Sequence, residues 1–503
     1  MDKPNILLIT TDQQRFDTIH ALGNAHIYTP HLNWLVDEGI TFERCYSDSP
    51  VCMAARATIM TGRHGYNHGL TTNSASVRPM APDSTLPGIL TRHGYQTRAQ
   101  GKMHFEPIRA NYGFEHMELP MDYYRYMAEN PGYGVPKGHG VGENEIEPVI
   151  STVDETKSAT HWVVKRSIDF METRDDTRPF FLWTSFAKPH PPFDPCYNYW
   201  TLYQNMRLPP PVYGDWSEDM ANAPLGFYQP TFVLNNAYRM SEEQLLNVKR
   251  AYYACITQID YSLGLLFARM RETGLLQNTW IIFTSDHGDL MGDHHMCAKS
   301  VFLEGSAHIP MIVRPPDGSH PLRGRRCDKL ATLADVAPTV LAAAGLDVET
   351  KPDIFIGDEN ERANTGVYVN VYGGGGVDTI EMDGENLLKI ASADDRDRVF
   401  YGNCGEAFFA VMQGGYKYNW TSHGGEELLF YLPDDPMEQR NLTKSNPEIA
   451  ARMKKMLVEQ VGGYNPDLVK DGELVVKDAV MGPGDVSKWP GFHSTVALSD
   501  VLH

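Results

Sequence analysis

The hydrophobic residues of the first 345 positions fall into short apolar runs separated by segments with helical periodicity. Four runs predict strands that are buried on both faces: Asn5–Thr10, Pro179–Phe186, Thr279–Thr284 and Ile309–Val313. Four other segments predict helices: Pro30–Glu38, Val153–Glu172, Ser241–Thr273 and Leu333–Ala344. Strands that alternate with helices indicate parallel βαβ units and therefore an α/β fold.

The pattern changes after about residue 365. Short apolar segments with glycine-rich turns predict antiparallel strands at Val367–Val371, Ala407–Gln413, Tyr416–Thr421 and Glu427–Tyr431. Asn446–Val461 is amphipathic and predicts a helix, and the residues from 464 onward predict an extended tail. We therefore expect a large α/β domain of residues 1–365 and a smaller C-terminal α+β subdomain of residues 366–503.

Two long segments, 106–150 and 191–240, are rich in Pro, Gly, Tyr and Asn and predict irregular excursions. Loops of this length in a compact domain usually shape a site or an interface. Their aromatic clusters, Asp122–Tyr126 and Tyr197–Trp200, could stack on sugar rings or aryl groups, or line a site for a choline-like cation. The simpler interpretation is that they pack beneath the loops. The excursions and the tail are also compatible with a homo-oligomer.

The net charge of −20 argues against nucleic acid as a partner, because binding to phosphate backbones needs a basic surface. It also means that a small anion would be repelled at long range, so its binding would need a local cluster of cations and a metal. No apolar run approaches the length of about 18 residues expected of a transmembrane helix, and we expect no membrane partner.

The seven cysteines are scattered and include no Cys-x-x-Cys, which argues against a disulfide framework and against a structural zinc site. Met1–Asp12 lacks the features of a secretory signal, since its apolar stretch is short and ends in an acid. Both observations favour a reducing, cytoplasmic location.

Polar residues follow the predicted strands where each strand ends, which is where open α/β sheets place their sites. Asp12 and Gln13 follow the first strand, and Asp286-His287-Gly288-Asp289 follows a later one. The carboxylates of Asp12 and Asp286 could bind a hard divalent cation such as Ca²⁺ or Mg²⁺, together with the amide oxygen of Gln13 and the imidazole of His287. For Asp12 and Gln13 alone, an ordinary turn or helix cap is the commoner explanation.

Cys52 lies between a loop-forming Ser49-Pro50 and the helix-forming sequence from Met53 onward. It is therefore expected at a helix N-terminus, where free N–H groups and the helix dipole favour an anion. Arg56 lies one turn further along the same face. In isolation, a buried apolar cysteine and a surface arginine would be the simpler interpretation.

Four more side chains could serve an oxyanion substrate: Lys102, His104, His190 and Lys299. Lys102 and His104 are two residues apart, so in an extended segment they would face the same side. His190 is held between prolines. Each is by itself an ordinary solvated lysine or core histidine, but together they offer point charges for a sulfate and groups that transfer protons.

These motifs, in this order, resemble the type I sulfatases of the alkaline phosphatase superfamily. The resemblance covers Asp12-Gln13, Cys-x-Ala-x-Arg with Thr61-Gly62-Arg63, Gly101-Lys-x-His, Lys188-Pro-His-Pro-Pro-Phe, Asp286-His-Gly-Asp and Lys299. Segments 416–432 and 435–442 resemble the family's C-terminal subdomain. The resemblance implies an alkaline phosphatase-like fold, in which helices sandwich a large, mostly parallel mixed sheet.

The resemblance also implies roles for the candidate residues. Cys52 would be converted to 3-oxoalanine (formylglycine) by a formylglycine-generating enzyme, and its hydrated aldehyde would be the nucleophile. The metal, usually Ca²⁺ and alternatively Mg²⁺ or Mn²⁺, would be bound by Asp12, Gln13, Asp286 and His287. Arg56 would stabilise this cluster, Lys102 and Lys299 would hold sulfate oxygens, and His104 and His190 would transfer protons.

Three positions depart from the commonest family pattern: Ala54 within the cysteine motif, His287 where many members have Asn, and Gln13 where some have an acid. The favoured hypothesis is hydrolysis of a sulfate monoester, either of a saccharide or of a small alkyl or aryl alcohol. The alternatives are a phosphonate monoester or phosphodiester hydrolase with the same site, and a pseudoenzyme that binds metal and anion while Cys52 stays a thiol.

Overall fold

The structure is a computed structural model that describes residues 3–73, 80–234, 239–318, 320–346, 382–393 and 397–478. The predicted domain boundary at residues 365 and 366, the predicted strand Val367–Val371 and the predicted tail beyond residue 478 lie outside these ranges. Within them, no helix is both long enough and apolar enough to cross a membrane.

Eight strands form the large sheet: β1 (Asn5–Asp12), β2 (Ile40–Tyr46), β3 (Gln96–Gly101), β4 (His116–Glu118), β5 (Phe180–Pro189), β6 (Thr279–Ser285), β7 (Met311–Arg314) and β8 (Arg326–Thr332). Their order across the sheet is β4-β3-β5-β1-β6-β7-β2-β8. Neighbouring strands are parallel except around β7, which is antiparallel to both β6 and β2. The predicted large, mostly parallel mixed sheet is confirmed.

The helices of the described residues are α1 (Pro30–Glu38), α2 (Cys52–Thr61), α3 (Gly65–His68), α4 (Leu86–Arg92), α5 (Pro120–Glu129), α6 (Ala159–Thr173), α7 (Tyr197–Tyr203), α8 (Gln229–Leu234), α9 (Glu242–Glu272), α10 (Glu304–Ala307), α11 (Val336–Ala343), α12 (Leu387–Ser392) and α13 (Pro447–Tyr464). Helix α6 begins at Ala159 rather than at the predicted Val153, because Ser158 caps it by accepting a hydrogen bond from the amide of His161.

Helices cover both faces of the large sheet. Leu7 and Ile9 of β1 share a buried cluster with side chains of α1, α6 and α9. Ile6 and Leu8, which point to the opposite face, share another with α2, α4 and α11. This is why the strand is apolar without alternation, and it confirms that the sheet is sandwiched by helices.

A second, antiparallel sheet contains β9 (Phe400–Cys404), β10 (Phe408–Gln413), β11 (Tyr416–Thr421) and β12 (Glu427–Tyr431). A small hairpin of β13 (Val469–Lys470) and β14 (Glu473–Leu474) follows α13. One face of the second sheet packs on α13, and the other contributes to the core of the large domain. A smaller α+β unit near the C-terminus is thus confirmed, with β9 as a strand that the sequence pattern did not predict.

A buried ion cluster joins the two sheets. Lys417 of β11 is inaccessible to solvent, and its Nζ lies 2.6 Å from Glu304 Oε1 and 2.8 Å from Glu438 Oε1. The same Nζ donates to the carbonyl of Phe302, and Tyr46 at the end of β2 donates to Glu304. Since burying a charge is costly unless it is paired, this cluster fixes the second sheet at one position on the large domain.

Candidate active site

Four adjacent parallel strands, β3, β5, β1 and β6, end at the same edge of the large sheet. Asp12 is the last residue of β1, and Asp286 comes directly after β6. Lys102 follows β3, and His190 follows β5. Residues scattered over some 275 positions of the chain therefore meet at one place, the carboxyl ends of the strands, as the strand-end pattern predicts.

Cys52 is the first residue of α2 and is 1% exposed. Its Sγ lies 3.2 Å from Nε2 of His287 and 3.8 Å from Oδ1 of Asp12. The predicted position at a helix N-terminus is confirmed. The side chain at position 52 therefore points into the cluster formed by the strand ends, where the helix dipole favours negative charge.

The loop before α2 is held by the second sheet. Ser49 Oγ donates to the carbonyl of Asn403 at 2.6 Å, and the amide of Asn403 donates to the carbonyl of Asp48 at 3.1 Å. Ser300 N donates to the carbonyl of Pro50 at 3.0 Å. These hydrogen bonds to Asn403 and Ser300, neither of which belongs to the large sheet, hold the loop that positions residue 52.

Four buried side chains offer ligand atoms that all lie within 4.8 Å of one another: Asp12, Cys52, Asp286 and His287. Nδ1 of His287 is 2.9 Å from the carbonyl of Gly288, so this nitrogen carries the proton and the lone pair of Nε2 faces the cluster. Two carboxylates and one imidazole are a suitable donor set for a divalent cation.

Gln13 takes part in the cluster through its amide. Its φ of 73° lies in the left-handed region, which is uncommon for a residue with a side chain. The oxygen Oε1 accepts a hydrogen bond from Lys299 Nζ at 2.7 Å, while Nε2 donates to the carboxylate of Asp289. The predicted ligand oxygen thus lies at the site, where Lys299 now contacts it.

Arg56 is fully buried and bridges the two carboxylates. Nη2 lies 3.1 Å from Asp12 Oδ2 and Nε lies 3.0 Å from Asp286 Oδ2. Nη1 donates to the carbonyl of Lys102 at 2.6 Å and to Oγ of Ser185 at 2.8 Å. Because every nitrogen of the guanidinium contacts an oxygen, the side chain of Arg56 is held in one position and its positive charge lies beside both carboxylates.

Three of the predicted cationic or proton-transferring groups lie together. Lys102 Nζ is 2.7 Å from Asp12 Oδ2, and Lys299 Nζ is 3.2 Å from His190 Nε2. His104 is exposed, and its φ of 57° shows that the chain is not extended there. The extended conformation assumed for this segment is thus not found at His104, but Lys102 and His104 do line one cavity.

Burial and neighbouring charges shift the pKa values of three groups in the site. Burial would raise the pKa of the Asp12 carboxyl, but its cationic neighbours, Lys102 first, hold that pKa well below its ordinary value. Burial and then Lys299 hold the pKa of His190 well below its ordinary value. Burial and Asp12 would raise the pKa of Cys52, but Lys299 and the other cations bring it well below that of a free thiol. The site thus favours an anion at position 52 beside a neutral His190.

A cavity of about 420 Å³ opens beside this cluster. Lys102, Ser185 and His190 form its inner end, while its outer wall comes from the long excursion that follows β3. The cavity therefore has charged residues at its inner end and more apolar residues along its outer wall.

The sulfatase family model matches residues 4–346, which include every residue of the cluster. The chain belongs to the sulfatase family. It is accordingly a sulfuric-ester hydrolase, as the order of its motifs indicates.

Two curated relatives cover nearly the whole of this sulfatase. An arylsulfatase of Clostridium perfringens is 31% identical, over 94% of the chain and 98% of the relative. A choline-sulfatase of Rhizobium meliloti is 28% identical, over 88% of the chain and 83% of the relative. The family resemblance therefore extends through the C-terminal sheet.

Solved structures share the fold of the sulfatase at lower identity. A phosphonate monoester hydrolase of Agrobacterium radiobacter has a TM-score of 0.73 at 23% identity and covers 92% of this chain and 96% of its own. A protein in complex with D-glucosamine-2-N,6-O-disulfate has a TM-score of 0.65 at 20% identity. The match covers 93% of this chain and 99% of that protein's chain. Both likenesses show the alkaline phosphatase-like architecture.

Two residues of the sulfatase site were not among the predicted functional residues. Asp289 accepts hydrogen bonds from the amides of Met291 and Ala298, each at 2.9 Å, and from Gln13 Nε2. Ser185 lies near the end of β5 and contacts Arg56. Both lie at strand ends beside predicted residues, but their roles depend on contacts between distant parts of the chain, which a local pattern does not encode.

Proposed function

We propose that residue 52 works as formylglycine and that the enzyme cleaves a sulfate monoester with the help of a divalent cation. The observation that carries the proposal is the position of Cys52: it begins α2 and points at two carboxylates and an imidazole. A thiol placed to pack in an apolar core would have no such neighbours. The aldehyde hydrate at this position would supply an oxygen nucleophile towards sulfur and, once the alcohol has left, a second hydroxyl whose deprotonation expels sulfate.

The residues proposed to hold the metal are Asp12, Gln13, Asp286 and His287. Their oxygens and one imidazole suit Ca²⁺, with Mg²⁺ or Mn²⁺ as alternatives, and the tautomer of His287 directs the lone pair of Nε2 towards the cluster. When bound, the cation would polarise the sulfate and lower the pKa of the nucleophile. Arg56, which contacts Oδ2 of each carboxylate, would keep Asp12 and Asp286 in place.

The remaining side chains serve substrate and protons. Lys102 and Lys299 bring two positive charges to the inner end of the cavity and would hold non-bridging sulfate oxygens. The alcohol must leave with a proton, which Lys299 or His190 would deliver: the ammonium of Lys299 carries one, whereas His190, neutral in this site, would first have to take one up. His104, at the open side of the cavity, is proposed as the base for the step that releases sulfate.

Peptide mass spectrometry tests whether Cys52 is converted to formylglycine. The enzyme is produced with a formylglycine-generating enzyme, its proposed maturation partner, and the tryptic peptide Cys45–Arg56 is measured. Conversion makes the peptide about 18 Da lighter at position 52, whereas Cys45, buried in the same peptide, keeps its encoded mass and serves as an internal control. A full thiol at position 52 under these conditions would contradict the proposal and favour the metal- and anion-binding pseudoenzyme.

A phosphonate monoester or phosphodiester hydrolase is the second candidate. It is favoured by the likeness to the phosphonate monoester hydrolase structure and by an imidazole among the metal donors. Rates on an aryl sulfate and on the matching aryl phosphodiester separate the two functions. A large excess on the diester would overturn the sulfate preference while leaving the nucleophile in place.

We also propose a reducing, cytoplasmic location. All seven cysteines are free and buried, and none is paired in a disulfide. Fractionation of the native cells with an antibody against the enzyme tests this location, and recovery outside the cytoplasm would contradict it.

A further inference from the structure

The cavity beside the active site has an apolar outer wall. Met103 and Phe105 are buried in that wall, while Ile108, Met121 and Tyr124 line it with exposed side chains. Exposure of these three side chains ranges from 41% to 52%, which is unusual for residues that gain by burial. A ligand in the cavity would remove this surface from water.

Several polar groups of the wall are engaged with one another. Lys137 pairs with Glu143, and Lys188 pairs with Asp194. Gln258 Nε2 donates to Ser158 Oγ at 3.2 Å. A polyhydroxylated ligand needs free donors and acceptors at fixed positions, and these pairs would have to be broken to supply them.

The formal charges of the wall nearly cancel. Away from the sulfate end, Lys137 and Lys188 are paired with Glu143 and Asp194, and Glu106 adds one further carboxylate. A site for a quaternary ammonium group would be expected to carry an excess of carboxylates, and a site for a second anion an excess of cations. With both lysines neutralised by pairing and a single surplus carboxylate, the wall offers little to either kind of ion, and we expect a group without charge.

The size of the cavity sets an upper limit on that group. A dry apolar cavity of about 150 Å³ can hold benzene. The cavity here, at about 420 Å³, has to take the sulfate end of the substrate as well as the alcohol. One or two rings therefore fit, whereas a longer chain of sugar units would extend into solvent.

We propose that the alcohol of the substrate is an uncharged, apolar ring system of one or two rings, and that Ile108, Met121 and Tyr124 determine this specificity. The inference rests on the proposed sulfate-ester hydrolysis and identifies the substrate class of that same site. The three residues act on binding of the alcohol, at a distance from the groups that contact the sulfate.

Three substrates test the proposal on the mature enzyme: 4-methylumbelliferyl sulfate, glucosamine 6-sulfate and choline sulfate. The expected result is a kcat/KM for the aryl ester at least about tenfold above the other two, as expected for one apolar contact or more. A higher value on the sugar or choline ester would overturn the inference while the proposed function stands. If no sulfate ester is cleaved by protein with formylglycine at position 52, the proposed function itself fails.

Two variants test whether the apolar wall determines the preference for the aryl ester. Met121→Asp places a charge in the apolar wall at an exposed site on α5, and we expect kcat/KM for the aryl ester to fall about 10- to 200-fold. Leu265→Asp, at an equally exposed site on α9 that does not line the cavity, is the matched control and should stay within about twofold. Inhibition by inorganic sulfate should be the same in both variants. Equal effects of the two variants on the aryl ester would contradict the assignment.

Discussion

The side-chain amide of Gln13 donates a hydrogen bond to the carboxylate of Asp289. Because Asp289 also accepts from two backbone amides, it is fixed as an acceptor, and the amide of Gln13 can only be oriented with its nitrogen towards it. The oxygen of Gln13 is thereby presented to Lys299 and to the proposed metal position.

Replacing Asp289 with Asn should weaken the proposed metal site. An Asn that keeps the two backbone hydrogen bonds turns its NH₂ group towards Gln13, so the Gln13 amide must flip and present its own NH₂ group to the site. We expect metal affinity to fall about 10- to 100-fold, as for other groups that orient ligands, measured by calorimetric titration with Ca²⁺. Asp293→Asn, which removes another buried acid paired with Arg15, should leave that affinity unchanged.

Arg56→Lys should inactivate the enzyme although it keeps the charge. A lysine is a single point charge and cannot span Asp12 and Asp286 while also contacting Ser185. Misplacing the two carboxylates should cost at least about 10²-fold in kcat/KM on an aryl sulfate. Arg166→Lys, at a partly exposed pair with Glu118, is the control. Near-normal turnover of the Arg56 variant would show that the bridge is dispensable.

Lys417→Met should destabilise the enzyme strongly. It leaves the carboxylates of Glu304 and Glu438 buried without their shared cation, a change that typically costs about 3–5 kcal/mol. Lys454→Met removes a partly exposed lysine from Glu427 and Glu473 and should cost less than about 1 kcal/mol. Urea unfolding measures both, and similar costs would show that the buried cluster does not hold the second sheet.

Stability should fall as the pH rises through 9. Burial would lower the pKa of His64, but the carboxylate of Asp48, 2.7 Å from its Nδ1, acts together with Asp383 and Asp335 and raises that pKa from 6.5 to about 9. The protonated form is therefore stabilised in the folded state, so its contribution is complete below pH 6.5 and is lost as pH rises through 9. The contribution is on the order of 3 kcal/mol.

Urea unfolding of the native enzyme and of His64→Gln at several pH values checks this contribution. The variant keeps a hydrogen-bond donor near Asp48 but has no proton to lose, so its free energy of unfolding should depend less on pH across this range. Parallel pH profiles for the two proteins would rule out His64 as the source.

Much of the site was predictable because its residues follow strands. Asp12, Asp286 and His190 come directly after, or end, apolar runs that are readable in the sequence, and parallel strands bring such residues to one edge. The helix that begins at Cys52 was equally readable from the loop-forming and helix-forming residues around it. The order of the strands was not, since it is set by pairing between distant segments.

The parts that escaped prediction depend on backbone conformation and tertiary contacts. The left-handed conformation of His104 differs from the extended backbone that the sequence suggested. The antiparallel direction of β7 and the existence of β9 arise from which neighbours those short segments meet. Asp289 was visible in its motif, but its hydrogen bond to Gln13 crosses 276 positions of the chain.

The contact of Asn403 with the loop before α2 limits the time that is available for the proposed conversion of Cys52 to formylglycine. Cys52 is shielded from solvent in the folded enzyme, and its loop is held by a strand that is synthesised about 350 residues later. At the usual elongation rate of roughly 5–20 residues per second, about 20–70 s pass between the two events. A maturation enzyme that must reach this side chain therefore competes with folding, and the fraction of active molecules would be set during translation.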